Sequence, residues 1–225
     1  GFKDREFVEL AFAGAGAGKN VVIVIEKLSE LDHTLAIAET VLAEDPDANL
    51  PMIGVRVKLY SKGSGKWEKS GGEAAKFGLT TTEILEVIRR LAEAGKTDML
   101  KLLHFHIGSQ LTDIKRIKNA MKEAARTYSK IRQMNIPIEY LDVGGGMAVD
   151  YDGSGSSGSN SANYTIEEYA SSIVATLKDV CDESGIAVPD IINESGRAVV
   201  SHHASRRGVP STMPVLASRT FSVWK

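Results

Sequence analysis

Three short segments carry side chains that could do chemistry. Leu103-His104-Phe105-His106-Ile107-Gly108-Ser109-Gln110 sets two histidines at strand spacing, which puts them on one face and Phe105 on the other. His106 falls at the carboxyl end of the run, where parallel α/β folds build their sites, and is a candidate site residue; His104 reads as a core histidine. Tyr140-Leu141-Asp142-Val143-Gly144-Gly145-Gly146 leads a strand into a glycine cluster. Gly144, Gly145 and Gly146 let a backbone come close to a ligand and aim its N–H groups at an anion. Ile191-Ile192-Asn193-Glu194-Ser195-Gly196-Arg197 ends a strand in a carboxylate, with a glycine and an arginine behind it. Glu194 directly follows an apolar run, so burial is expected and a partner is required; a ring nitrogen that must stay protonated is one. Arg197 beside Gly196 suits a bidentate grip on phosphate.

An imidazole, an anion nest and a carboxylate with an arginine, on successive strand ends, describe the needs of pyridoxal phosphate: a flat ring, a protonatable nitrogen and a phosphate. Two other patterns fall away. Gly14-Ala15-Gly16-Ala17-Gly18-Lys19 looks like a phosphate loop, but Ala13 and Asn20 stand where the motif needs Gly and Ser or Thr, and a helix rather than a strand precedes it. Two histidines could bind a metal, but no third ligand lies near in sequence, and a single cysteine, Cys181, excludes a cysteine zinc site. These segments by themselves assign no metal-ligating residues.

The elements that must position these groups alternate between two apolar periods. Residues 3–13, 29–43, 80–94, 113–134 and 165–184 have helical spacing. Val21-Val22-Ile23-Val24-Ile25, Ile53 to Leu59, Leu100 to Ile107, Ile138 to Val143 and Pro189 to Glu194 read as strands, the first buried on both faces. Strands separated by helices make βαβ units, hence a parallel sheet with helices outside. Residues 60–72 form a basic, Gly-rich loop, and residues 153–163 have the composition of a flexible linker.

The chain has 225 residues, 43% hydrophobic and 25% charged, which excludes disorder throughout. Lys plus Arg is 27 against 29 for Asp plus Glu, a net charge of -2, so no global field favours nucleic acid or an anionic membrane. No apolar stretch approaches the roughly 18 residues of a membrane span. The first residues lack the apolar core of a signal peptide. With one cysteine, the composition suits a reducing compartment.

At the segments above, the chain resembles the fold-type III pyridoxal-phosphate decarboxylases, the alanine-racemase-like barrels. Within them it is most similar to the biosynthetic arginine decarboxylases of bacteria and plants. Gly1-Phe2-Lys3-Asp4, Val24 to Asp32, Ile53-Gly54-Val55-Arg56, Ser70-Gly71-Gly72-Glu73, Lys76 to Thr80, Asp150-Tyr151, Tyr164 with Glu168-Tyr169-Ala170, and Asn193 to His203 add to the match. The resemblance covers residues 1–203. It implies that His106 stacks on the cofactor ring. Ser109, Gly144 to Gly146, Gly196 and Arg197 hold the phosphate, and Glu194 pairs with the pyridinium nitrogen. Asp142, Asp150 and Tyr151 lie against the substrate, while the partners of Arg56 and Lys76 stay open. It further implies decarboxylation of L-arginine to agmatine through a Schiff base, entry to polyamine synthesis, a homodimer or higher homo-oligomer, and magnesium as a possible further cofactor. The location is then cytoplasmic, or plastid in a plant. Diaminopimelate or ornithine decarboxylases of the same barrel, and a non-catalytic pyridoxal-phosphate-binding regulatory homologue, are the alternatives.

Two features depart from the family. Its Schiff-base lysine lies on an early strand, and no lysine here occupies a matching motif. Its carboxy-terminal β domain has no counterpart, and residues 204–225 leave the family pattern. The expectation is therefore an α/β chain forming the last five strands of a parallel (β/α)8 TIM-type barrel, incomplete at both ends and inactive by itself. A full barrel takes about 250 residues.

Overall fold

The computed structural model describes residues 1–60 and 76–201. Most of the basic loop, Ser70 to Glu73 and the whole off-pattern tail lie outside the described residues. Strands β1 (Val22–Ile25), β2 (Met52–Arg56), β3 (Leu100–His104), β4 (Tyr140–Asp142) and β5 (Asp190–Ile192) form one sheet in chain order. Every neighbouring pair is parallel. The helices between them are α1 (Arg5–Gly16), α2 (Leu28–Glu44), α3 (Thr81–Glu93), α4 (Ile114–Gln133) and α5 (Ile166–Ser184). A five-residue helix, α6 (Gly196–Val200), follows β5 and was not foreseen from the sequence.

Local chemistry explains the helix ends. Thr80 with Glu83 and Thr165 with Glu168 form capping boxes, each satisfying two otherwise orphaned N–H groups. Asp4 and Asp113 cap α1 and α4 with their carboxylates. Glu30, buried in the first turn of α2, accepts the N–H groups of Glu26 at 2.6 Å and Lys3 at 2.8 Å. Gly185, at φ +64, ends α5 in the left-handed conformation expected there. Helix α1 runs beyond the expected stop and includes Gly14 and Gly16; the turn comes at Gly18, whose φ is +77. Alanines between the glycines keep the helix going.

The sheet has one apolar face and one mixed face. Ile53, Val55, Leu103 and Leu141 pack with Ile84, Val87, Leu91, Ile117, Met121, Tyr128 and Leu177 into a single core. Tyr128 also donates its hydroxyl to the carbonyl of Ala187 at 3.0 Å, tying α4 to the approach to β5. The opposite face carries Gly54, Leu102, Tyr140 and Asp190 in one register row. The next row towards the carboxyl ends holds Arg56, His104, Asp142 and Ile192. Glycine at 54 is a packing requirement, because a Cβ there would lie 2.8 Å from Leu102 Cδ2.

The strands are shorter than the apolar runs predict. The last four strands stop one to three residues early, whereas β1 ends at Ile25 as expected, and the chain bends into loops held by single bonds. Phe105 N–H donates to Asp142 O at 3.1 Å, Val143 N–H to Ile192 O at 2.9 Å, and Glu194 N–H to Gly144 O at 2.8 Å. His106 thus lies beyond β3, exposed, while His104 is buried, so strand alternation does not relate them as expected. Strand β5 is not a buried strand either. It pairs only with β4 among the described residues, and Ile191 is 38% exposed. Residues 153–163 are fastened, contrary to their linker-like composition. Asp150 accepts from Ser161 Oγ at 2.7 Å and Gly155 N–H at 3.1 Å, and Thr112 Oγ1 donates to Ser157 O at 2.9 Å.

Candidate cofactor site

Three loops, following β3, β4 and β5, meet at Gly144 to Gly146, and the contact leaves no room for side chains. A Cβ on Gly144 would sit 2.5 Å from Phe105 O, one on Gly145 2.7 Å from Glu194 O, and one on Gly146 2.0 Å from Gly108 O. Gly144 and Gly146 also have φ of +67 and +99, where other residues are strained. The glycines therefore let protein loops cross one another. Their N–H groups are largely engaged inside the protein: Gly144 donates to Asp142 Oδ1 at 2.8 Å and Gly145 to His106 Nδ1 at 3.3 Å. Gly196 likewise donates to Glu194 O at 2.8 Å. These N–H groups thus have partners within the protein at Gly144, Gly145 and Gly196.

Around this knot stand the polar side chains. Arg197 in the first turn of α6 donates through Nη2 to Ser109 Oγ at 3.2 Å and through Nη1 to the Tyr151 hydroxyl at 3.5 Å. A guanidinium and a hydroxyl side by side offer an anion both charge and directed donors. His106 presents an exposed, flat imidazole next to Gly145. Glu194 is partly buried behind the Gly144–Gly145 turn, and one polar atom from each of Glu194, His104 and Asp142 lies within 4.8 Å of the other two.

Other expected site residues stand differently. Asp142 is 2% exposed. One of its oxygens accepts from Gly144 and the other lies 3.0 Å from His104 Nδ1. Both oxygens thus face groups of the protein. Asp150 turns its carboxylate to the Gly155 and Ser161 end of the following loop and is not brought to the Arg197 cluster. Tyr151, 56% exposed, is brought there.

The structure also supplies the partners left open for Arg56 and Lys76, and gives roles to Gln110 and Tyr164, to which the sequence assigned none. Arg56 meets Glu26 at 3.2 Å, and its guanidinium lies 5.3 Å from the centre of the Phe77 ring. Lys76 Nζ approaches the same ring at 5.4 Å. Burial opposes ionisation of Glu26, but nearby positive charge, Arg56 foremost, outweighs it and holds the carboxyl below its ordinary range. Gln110, in the left-handed region at φ +55, clasps Val149 from both ends of its amide: Nε2 donates to O at 2.8 Å and Oε1 accepts from N–H at 3.2 Å. Tyr164 donates to Leu111 O at 2.6 Å and accepts from Ala148 N–H at 2.9 Å. Burial pushes its phenol up to about 12. One signal was available: a polar residue closes the apolar runs of three successive strands, at Arg56, His104 and Asp142.

An all-parallel α/β sheet with its polar groups gathered at the carboxyl strand ends defines a ligand-binding α/β domain of the barrel and open-sheet class. Residues 2–201 match the family model described as pyridoxal-dependent decarboxylase, pyridoxal binding domain, and the chain belongs to that family. It is 50% identical over 204 residues to the biosynthetic arginine decarboxylase of Trichlorobacter lovleyi, covering 91% of this chain and 31% of that protein. The corresponding protein of Deinococcus radiodurans is also 50% identical, over 91% of this chain and 30% of its own length. Among solved structures, the biosynthetic arginine decarboxylase of Campylobacter jejuni superposes with a TM-score of 0.74 at 36% identity, covering 88% of this chain and 30% of that one. Diaminopimelate decarboxylase of Helicobacter pylori, complexed with L-lysine, gives a TM-score of 0.69 at 23% identity and shares the fold. The chain spans about a third of the length of the arginine decarboxylases it matches.

The donor set fits pyridoxal phosphate. Arg197 with Ser109 suits the phosphate, His106 offers a flat face, and Glu194 supplies a carboxylate for the ring nitrogen. It does not fit magnesium, which prefers an octahedron of oxygens and retained waters. The metal-like group found among the described residues, His104 with Asp142 and Glu194, includes an imidazole, and two of its three members are buried. No helix among the described residues is long and apolar enough to cross a membrane.

Proposed function

We propose that these residues form the pyridoxal-phosphate-holding part of an arginine decarboxylase, contributing the last five strands of a (β/α)8 barrel. The observation that carries the reading is identity of 45–50% to proteins named biosynthetic arginine decarboxylase across nine-tenths of the chain. Likeness to the diaminopimelate and lysine/ornithine decarboxylase structures is 24% or lower for the Helicobacter pylori and Vibrio vulnificus examples, which supports a common fold only.

Bound here, pyridoxal phosphate supplies an electron sink for the carbanion left when carbon dioxide departs from L-arginine, with agmatine as the product. Arg197 and Ser109 would hold the phosphate. His106 would offer its flat face to the ring. Glu194 would accept a hydrogen bond from the ring N–H and so favour the protonated, positively charged nitrogen. Tyr151, on the rim beside Arg197, is placed to meet substrate. The whole protein works as a homodimer or higher homo-oligomer in this reading.

A chimera tests the reading. The matched segment of the Trichlorobacter lovleyi arginine decarboxylase is replaced by this chain's matched residues, and product formation is followed with arginine, diaminopimelate and ornithine. Agmatine and carbon dioxide from arginine alone are expected. Preference for either other amino acid overturns the substrate assignment. A chimera that binds pyridoxal phosphate but decarboxylates none of the three marks a regulatory homologue instead.

A further inference from the structure

We propose that His104 and Asp142 are positioning residues for Glu194, acting through it on the ring nitrogen of pyridoxal phosphate; this rests on the reading of the site given above. His104 and Asp142 are register partners on adjacent strands. They share the row with Arg56, on the sheet face away from the helical core. A histidine satisfied in a core would sit among the apolar side chains of the other face. His104 instead is buried among polar ones, with Nδ1 3.0 Å from Asp142 Oδ2. The other oxygen of Asp142 accepts from Gly144 N–H at 2.8 Å, which restrains the carboxylate, and His104 Nδ1 lies beside it at ion-pair distance without a hydrogen bond of good geometry.

Gly144 joins this pair to Glu194. Its N–H holds Asp142, and its carbonyl accepts the N–H of Glu194 at 2.8 Å. One peptide unit on each side of Gly144 thus fixes both carboxylate-bearing residues, and the three side chains approach within 4.8 Å. Two carboxylates so close and so little hydrated repel each other. The imidazole is the group that can donate between them. Without it, Glu194 turns away from Asp142 and leaves the place where it meets the ring nitrogen.

The test compares two ligands of this 225-residue chain by equilibrium dialysis: pyridoxal phosphate, and its 1-deaza analogue in which C–H replaces the ring nitrogen. His104→Asn and Asp142→Asn are each expected to weaken pyridoxal phosphate about tenfold, the effect of one charge-assisted hydrogen bond. The deaza analogue, which offers Glu194 nothing, is expected to change less than about twofold on the same grounds. In a Glu194→Gln background, His104→Asn should have no further effect. A general loss of structure would weaken both ligands alike, and that result, or additivity with Glu194→Gln, overturns the proposal. Arg197→Ala separates the two levels. If it weakens both ligands while His104→Asn spares both, the positioning role alone fails. If it changes neither, or if the unaltered chain binds neither ligand, the site itself is misread and the positioning role falls with it.

Discussion

Replacing Gly146 by alanine measures how tightly the loops at the strand ends are knotted. Two costs combine there. A φ of +99 is strained for any residue with a Cβ, at about 1 kcal/mol. The new Cβ would also lie 2.0 Å from Gly108 O, more than about 1 Å inside the ~3.3 Å of an ordinary C···O contact. The obstacle is backbone, so no rotamer relieves it and the two loops must part. Parting them breaks the Leu111 N–H to Gly146 O bond, now 2.8 Å, worth about 1 kcal/mol. Displacing neighbours such as Leu111, whose Cδ1 is 3.1 Å from the new Cβ, adds about 1 kcal/mol or more of overpacking. The sum is about 3 kcal/mol or more, a large share of a typical domain's stability of roughly 5–15 kcal/mol. Urea denaturation followed by circular dichroism reads it, with two controls. Gly185→Ala has φ +64 and nothing within 4 Å of its Cβ, so it carries the strain alone, about 1 kcal/mol. Gly145→Ala carries the clash alone, 2.7 Å from Glu194 O. Equal losses for Gly146→Ala and Gly185→Ala would refute the crossing of loops as the reason for glycine at 146.

Further outcomes follow from buried titratable groups. Tyr164 holds its proton up to about pH 12 in the folded chain, against about 10 unfolded. The folded state therefore binds more protons between these values, and stability falls as pH rises through that window. Tyr164→Phe should remove this part of the alkaline loss, read as the difference in urea midpoint between neutral and alkaline pH; an unchanged slope would contradict the assignment. Cys181 is fully buried on the core side of α5, and burial pushes its thiol up. It should resist alkylation until the chain unfolds, so prompt labelling under native conditions would count against its placement. Glu26 lies below its ordinary range, so its contribution is present at neutral pH and is lost as pH falls through its folded value. Glu26→Gln should flatten the acid limb of the stability profile while leaving the alkaline limb unchanged.

Much of the architecture was legible because it depends on neighbours in sequence. Capping boxes at Thr80 and Thr165, the glycine after Ser184 and the apolar periods place five helices and five strands within a few residues of their observed limits. The alternation of strand and helix dictates parallel pairing, since a crossover helix returns each strand in the same direction. The site segments were equally legible as segments: an imidazole, a glycine run and a carboxylate with an arginine all stand at strand ends.

Their partners were not legible, because partners come from register and loop crossing. His104 looked like a core residue until alignment of β3 with β4 set it against Asp142. The sequence also could not say that Gly144 and His104 face the two oxygens of Asp142. The glycines looked like an open anion nest, and the sequence has no way to say that Gly108, Phe105 and Glu194 fill the space in front of them. Residues 153–163 looked like a linker because composition does not register the bonds from Asp150 and Thr112. Sequence by itself determined which residues form the elements and which chemical groups end them, since periodicity and capping act over a few residues. Only the tertiary structure decided which of those groups meet, since contacts between distant segments are set by strand register and by the close passage of one backbone over another.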